Sequence, residues 1–461
     1  MSETTSEEQV PEPLLEARRL LDEGMLEQCM ACLKPYWLKH ESDTRAIGMF
    51  GELMKEAGRS EVARKLKRLT ELLDAKTGAD TDAKSGAAGD GGAIAAAGAA
   101  ASPDTVPAST DEQTFGNTSE DDIPYALFEA GFGLIDLRQH ELAVMLLERC
   151  LKLMPNEPTV NYEIAFSLMS LSRFDEAIAH FKLAMLDSED FDTILNLSVC
   201  YTLTRRIPEA KAMIEQLAGL AHDEDEQREL QHRRIVLKRL ELLGKKQTFT
   251  PRDWQFILYG GILLRTGDEH IHQKEDPMSI ASTLAILKGL LEGMRIEFEA
   301  VEYYNPNARP LARILAELME IPCDSYKGPH RPDRALLILA WATDIIGPHE
   351  AFVEHMQSRS VFTYGLTWNE PLPVAPEIAG LLADDTIMPW EEARAESIDG
   401  IVAKILERAR DLDCDPDILR ETQEAVEYYD SKRELLVLNN WTTFPDRPEY
   451  TAEVQRPQAK K

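Results

Sequence analysis

The sequence predicts a multidomain chain: an all-α solenoid of helix pairs, followed by a C-terminal α/β domain with a mainly parallel sheet. Three observations predict it. First, small residues recur with a period of 33–34 in the middle of the chain: Ala143, Ala177 and Ala210, and in step with them Gly131, Ala165 and Ser198. The bulky residues Leu147, Phe181 and Ile214 keep the same spacing. A period of this size marks stacked two-helix units, none of which buries its apolar face alone. Second, residues 76–122 are Ala, Gly, Ser, Thr and Asp with almost no bulky side chain. Third, after Thr250 the helical period gives way to short apolar runs alternating with amphipathic helices, the pattern of a parallel sheet.

Taken in order, residues 13–75 read as a degenerate helix pair of the same kind. Gly24 and Gly58 lie 34 apart between amphipathic segments, and Cys29 and Ala63 match as small residues of the second helices. Gly51 stands where a first helix needs a small residue, and Ala17 takes that place in the poorer first unit. Residues 76–122 cannot bury enough area to offset chain entropy, so a flexible tether is expected. Its length, a few tens of Å, leaves the N-terminal pair free to move. The ladder fills 123–245, with units starting near Pro124, Pro158 and Phe191, and Glu226–Leu243 as a capping helix. In 250–442 the expected strands are Phe256–Leu264, Ile296–Tyr304, Ala335–Ala342 and Ser360–Tyr364. The expected helices there are Ser279–Leu291, Ala308–Met319, Ser397–Leu412 and Asp415–Leu436, and residues 443–461 read as a polar, Pro-rich tail.

The ladder resembles the tetratricopeptide repeat (TPR) family over roughly 100 residues. Gly131, Leu134, Ala143, Leu147 and Pro155 carry the resemblance in one unit; Ala165, Leu168, Phe174, Ala177, Phe181 and Ala184 in the next; Ser198, Tyr201, Ala210 and Ile214 in the third. Leu217 departs from the pattern, where a small residue is usual, and Pro208 is tolerated in a first helical turn. The resemblance implies that first helices line a concave groove. Its facing residues are then Phe128, Phe132, Ile135, Tyr162, Phe166, Met169, Leu195, Asn196 and Val199. Family members that clamp a peptide carboxylate use Lys, Arg and Asn at such positions. Here aromatic and aliphatic residues replace them, which points to an apolar peptide or helix, as in the repeat chaperones of secretion systems. The groove is equally open to internal filling by the linker or the C-terminal domain.

A net charge of −31 argues against nucleic acid and against an anionic membrane surface. The first residues, MSETTSEEQVPEPLLEARRLL, lack a basic segment followed by an apolar run, so no secretory signal is expected. The six cysteines suit reduced thiols in a cytoplasm. Cys29-Met30-Ala31-Cys32 is a lone CxxC on a repeat helix, and packing is its simpler reading. Asp268, His270 and His272 follow the first expected strand at a spacing that can hold a metal, though such a loop is also simply polar. Ligands of open α/β sheets sit beyond the C-terminal strand ends. His270 and Asp344 there suggest an acid/base patch and Arg309 an anion clamp, with Asn305, Thr343, Thr367 and Trp368 beside them. Nucleotide and serine-hydrolase motifs are missing, so no cofactor is expected. The expectation is thus an adaptor or chaperone-like protein binding a protein partner; the alternative is an enzyme whose α/β domain acts on a small molecule while the repeats recruit a partner.

Overall fold

Five helix–helix turns share one backbone device. Gly24, Gly58, Arg138, Ser172 and Arg205 all have left-handed φ, between 57° and 76°. At Gly24 the amide donates to the Leu21 carbonyl and the next amide, Met25, to Leu20. The same pair of bonds recurs at Gly58, Arg138 and Arg205. This satisfies the carbonyls that a helix end leaves open and turns the chain sharply. Glycine suits the position; arginine and serine adopt it under strain. The 33–34-residue spacing of the sequence is therefore a spacing of turns.

The computed structural model describes residues 10–85, 122–186, 190–266, 273–326, 334–345, 359–367, 376–383, 386–391 and 397–439. It is mostly helical, with one six-stranded parallel sheet. Among the described residues no helix is long and apolar enough to cross a membrane. The chain forms two compact units, 1–171 with 179–188, and 172–178 with 189–461. The division falls inside the run 123–245 that the sequence reads as one domain.

The first unit holds α1 (Glu12–Asp22), α2 (Leu26–Lys39), α3 (Thr44–Glu56), α4 (Ser60–Ser85), α5 (Asp122–Asp136), α6 (His140–Leu153) and α7 (Pro158–Ser170). It also takes the second part of α8 (Phe174–Ala184). Its helix pairs meet at the small residues. A Cβ on Gly131 would stand 2.8 Å from Leu147 Cγ, and one on Gly51 would stand 3.4 Å from Leu66 Cβ and 3.5 Å from the Ala63 carbonyl. In the first pair the buried Cys29 thiol donates to the Ala17 carbonyl at 3.3 Å. The three contacts are one contact made with different residues, which is why the degenerate pair keeps small residues there.

One expectation is corrected. The N-terminal pairs do not stand apart from the ladder: α4 packs along α5, and α2 touches α6. Val62, Ala63, Leu66, Leu69 and Leu72 give α4 a buried apolar stripe, and a Cβ on Gly133 of α5 would lie 3.2 Å from Val62. Helix α4 also runs ten residues into the expected tether. Residues 86–121, the remainder of that tether, lie outside the described residues.

The second unit holds α9 (Phe191–Leu203), α10 (Ile207–Leu220), α11 (Glu224–Leu243) and α12 (Pro251–Tyr259). Then come β1 (Ile262–Thr266), β2 (Gln273–Lys274), α13 (Pro277–Gly293), β3 (Ala300–Tyr303), α14 (Arg309–Met319), β4 (Cys323–Ser325), β5 (Ala335–Trp341), β6 (Arg359–Leu366), β7 (Ile378–Leu382), β8 (Thr386–Ile387), α15 (Ile398–Leu412) and α16 (Pro416–Asp430). The main sheet runs β1-β7-β6-β5-β3-β4, all parallel, and β2 pairs with β8.

The apolar run from Phe256 is not one strand. Thr250 and Asp253 form a capping box, Pro251 opens the helix, and Gly260 closes it at φ 63°. Only Ile262 onward enters the sheet. Helices α13 and α14 cover one sheet face, and α16 packs tightly on α13: Cβ atoms on Gly289 and Gly293 would each lie 2.7 Å from a methyl, of Thr422 and Val426 respectively. The Tyr429 hydroxyl bonds the Leu263 backbone and pins α16 to β1.

Helix α11 does more than cap α10. Arg239 is 2 % exposed, donates to the Leu435 carbonyl at 2.9 Å, and lies so close to Gly260 that a Cβ there would meet its guanidinium at 2.2 Å. Burial pulls this arginine down to about 9. Val437 N–H then bonds the Gly260 carbonyl at 3.1 Å.

Candidate functional site

Helix α5 presents an aromatic face that is partly exposed. Its buried side carries Ile123, Ala126, Leu127, Ala130, Gly131 and Leu134. Tyr125 and Phe132 are left 54 % and 38 % exposed, and Phe128 stacks on Phe132 with centroids 6.1 Å apart. From α4, Lys65 lies over the Phe132 ring at 5.8 Å and Arg68 over Tyr125 at 5.7 Å. Lys65 also pairs with Glu61 and Glu129 at 3.4 and 3.5 Å. The face is thus less purely apolar than its own helix sequence shows.

The other expected groove residues divide by burial. On α7, Tyr162 and Phe166 are half-buried: Tyr162 meets Phe181 edge-on at 5.8 Å, and Phe166 lies 6.3 Å from the His140 ring. Ile135 and Met169 are buried and belong to the packing of the first unit. In the second unit, Leu195 is half-buried while Asn196 and Val199 are buried.

A residue outside the expected set stands out on α7. Glu163, half-buried between Tyr162 and Phe166 in sequence, has its carboxyl pushed up to about 7 by burial first and by Asp136 second. Asp136 is the exposed last residue of α5, one turn beyond Phe132. Among the described residues neither carboxylate has a cationic partner. Burial, Arg138 and Lys34 push His140 down, so it is neutral near pH 7 and does not offset them.

In the α/β domain, β3 leads by α14 to β4 on one side while β5 leads to β6 on the other, so the crevice between β3 and β5 is the sheet's switch point. Asp344 and Asn305 stand there as expected, but each closes a local turn. Asp344 accepts from Trp341 N–H at 3.0 Å, and Asn305 accepts from Ala308 N–H at 2.9 Å. Burial raises the Asp344 carboxyl, while the Trp341 and Asn305 bonds oppose the rise. Trp390 donates to Asn307 Oδ1 at 2.7 Å, and Asn307 donates to Glu391 at 3.0 Å. Met388 and Trp390 are thereby core anchors.

Arg309 is not brought to Asp344. It lines a hollow of about 400 Å³ with Tyr303, Arg313, Ala316, Glu317, Ile321 and Cys323. Arg313 there pairs with Asp399 at 2.6 Å. Burial and Asp324 push the Cys323 thiol up against the opposing pull of Arg313 and Arg309, which makes it a weak nucleophile. Asp268, His270, His272 and Trp368 lie outside the described residues, as does the tail from residue 440. Among the described residues no group of three or more metal-ligating side chains occurs.

Two buried polar links have no counterpart in any local sequence pattern. Arg359 and Glu302 pair at 2.6 Å with side chains 2 % and 3 % exposed, beneath the Tyr326 ring. The Tyr364 hydroxyl donates to Glu275 at 2.6 Å, near Arg265, which donates to Ser279 and Thr283. Both lie within the sheet domain and far apart in sequence, so no local motif announces them. All six cysteines are free; Cys29 and Cys32 each donate to a backbone carbonyl. No protein-family model matches this chain, and no curated protein matches its sequence.

Proposed function

We propose that this chain is a TPR-type adaptor or chaperone-like protein that holds a partner protein segment on the aromatic face of α5 and α7. The single observation behind this reading is the aromatic row on α5, with Tyr125 and Phe132 exposed and Phe128 half-buried, together with the half-buried Phe166 on α7. Clustered exposed aromatics mark interaction surfaces, because rigid rings supply most of the binding energy at low entropic cost. The left-handed turns at a 33–34-residue spacing support the repeat architecture, and six free thiols suit a reducing cytoplasm.

The test is selection of random peptides of roughly 12 residues on the full chain. Phe132→Glu with Phe166→Glu, in protein shown to be folded by circular dichroism, is expected to abolish enrichment. Unchanged selection by this double variant refutes the reading. The second reading, an enzyme acting on a small anion, draws on the hollow that carries Arg309 and Arg313. A metabolite retained by the wild-type chain and lost from Arg309→Ala would favour it.

A further inference from the structure

We propose that the hollow beside α14 is a binding site for a small organic phosphate, its phosphate held by Arg309 and Arg313 and its organic part packed on Tyr303 and Ile321. This goes beyond aromatic docking on α5; it rests on the small-anion reading of the hollow and specifies the chemistry of the ligand.

The hollow lies where β3 runs into α14, and its volume of about 400 Å³ falls in the range of small-molecule sites. Arg309 opens α14 and Arg313 follows one turn later, so both side chains reach the hollow from one helix face. They act on a common spot. At Cys323, in the wall of the hollow, both guanidinia oppose the upward push on the thiol from burial and Asp324.

The two arginines are not equally engaged. Arg313 pairs with Asp399 at 2.6 Å, and Glu317, the acid in the lining, lies 3.9 Å from Arg410 of α15. Each of these pairs cancels itself. Arg309 lies over the Tyr303 ring, 6.0 Å from its centroid, and among the described residues its guanidinium makes no ion pair or hydrogen bond. One positive charge is therefore left over at the start of a helix, where the dipole also favours an anion. The Asp399 side chain is 79 % exposed, so its hold on Arg313 is weak and yields to a better anion. The class of anion follows from the donors. The two oxygens of a carboxylate fill one guanidinium fork, whereas the three oxygens of a phosphate monoester span two. The half-buried Tyr303 and Ile321 supply an apolar wall for the organic part.

The test is calorimetric titration of the full chain with phenyl phosphate, inorganic phosphate and benzoate. Phenyl phosphate is expected to bind about tenfold more tightly than either of the others, and Arg309→Ala to weaken it about tenfold. Asp399→Asn, which frees Arg313, is expected to tighten it about threefold, a gain that a misfolded variant cannot give. Unchanged binding by Arg309→Ala overturns the inference. Benzoate bound as tightly as phenyl phosphate overturns the phosphate assignment and leaves the small-anion reading in place. Inorganic phosphate bound as tightly overturns the role of Tyr303 and Ile321. No saturable binding of any of the three overturns both this inference and the small-anion reading, and leaves aromatic docking untouched.

Discussion

Replacing Glu163 by Gln is expected to stabilise the chain at neutral pH and to leave it unchanged in acid. The carboxyl rises from an ordinary 4.5 to about 7 in the fold, so the native state holds this proton more tightly than the unfolded chain does. As pH rises from 4.5 to about 7 the unfolded state releases its proton first, and wild-type stability falls across that window. Below it both states are protonated and the penalty vanishes. At about 1.4 kcal/mol per tenfold, the rise sets an upper bound near 3 kcal/mol. Solvent screening at a half-buried position reduces this to about 1–2 kcal/mol. Hydrogen exchange of the α7 amides, read by mass spectrometry, measures the local opening energy directly. Glu163→Gln should slow it severalfold near pH 8 relative to wild type and should make no difference near pH 4, after correction for intrinsic rates. A difference that stays constant with pH would show that the substitution acts through shape, and would refute the reasoning from charge.

Other expectations concern the fold. Gly131→Ala should cost about 1–3 kcal/mol in urea denaturation because its methyl meets Leu147, whereas Gly51→Ala, with room at 3.4 Å, should be neutral or stabilising by up to about 1 kcal/mol. Arg138→Gly should raise the melting temperature, since the left-handed turn costs arginine about 1 kcal/mol that glycine does not incur. Arg359→Met should destabilise the sheet unit by about 3–5 kcal/mol by leaving the buried Glu302 without this arginine; a loss under about 1 kcal/mol would show that the pair contributes little.

Much of the fold was legible because it repeats. Gly131, Ala143 and Leu147 announced a helix contact in their size alone, and that contact is what the structure shows. Strand β5 was legible as a continuous apolar run, since a central parallel strand is buried on both faces. Helix α12 was misread because Phe256–Leu264 is apolar throughout, and hydrophobicity without period does not separate a short strand from a buried helix. The signal that separates them was present: Thr250, Pro251 and Asp253 before the run, and Gly260 inside it. Strands β4 and β7 gave no such sign: β4 is three residues with two polar side chains, and β7 follows a Pro-rich stretch. The candidate site was half legible. Phe128 and Phe132 follow from the helix period, but Glu163 gains its character from burial first and from Asp136, 27 positions away, second, and neither is visible in the local sequence.

The buried Arg239 fixes what can unfold alone. Its guanidinium lies against Gly260 at the foot of β1 and is bonded to Leu435 near the end of the described chain, so α11 cannot leave without opening a charge to a broken core. Helices α9 and α10 pack with α11, and α11 with α12. These helices and the sheet therefore form one cooperative block whose amides should lose protection together. A ligand bound to α9 would raise the opening energy of that whole block, so slowed exchange in the sheet strands would report an event on a helix.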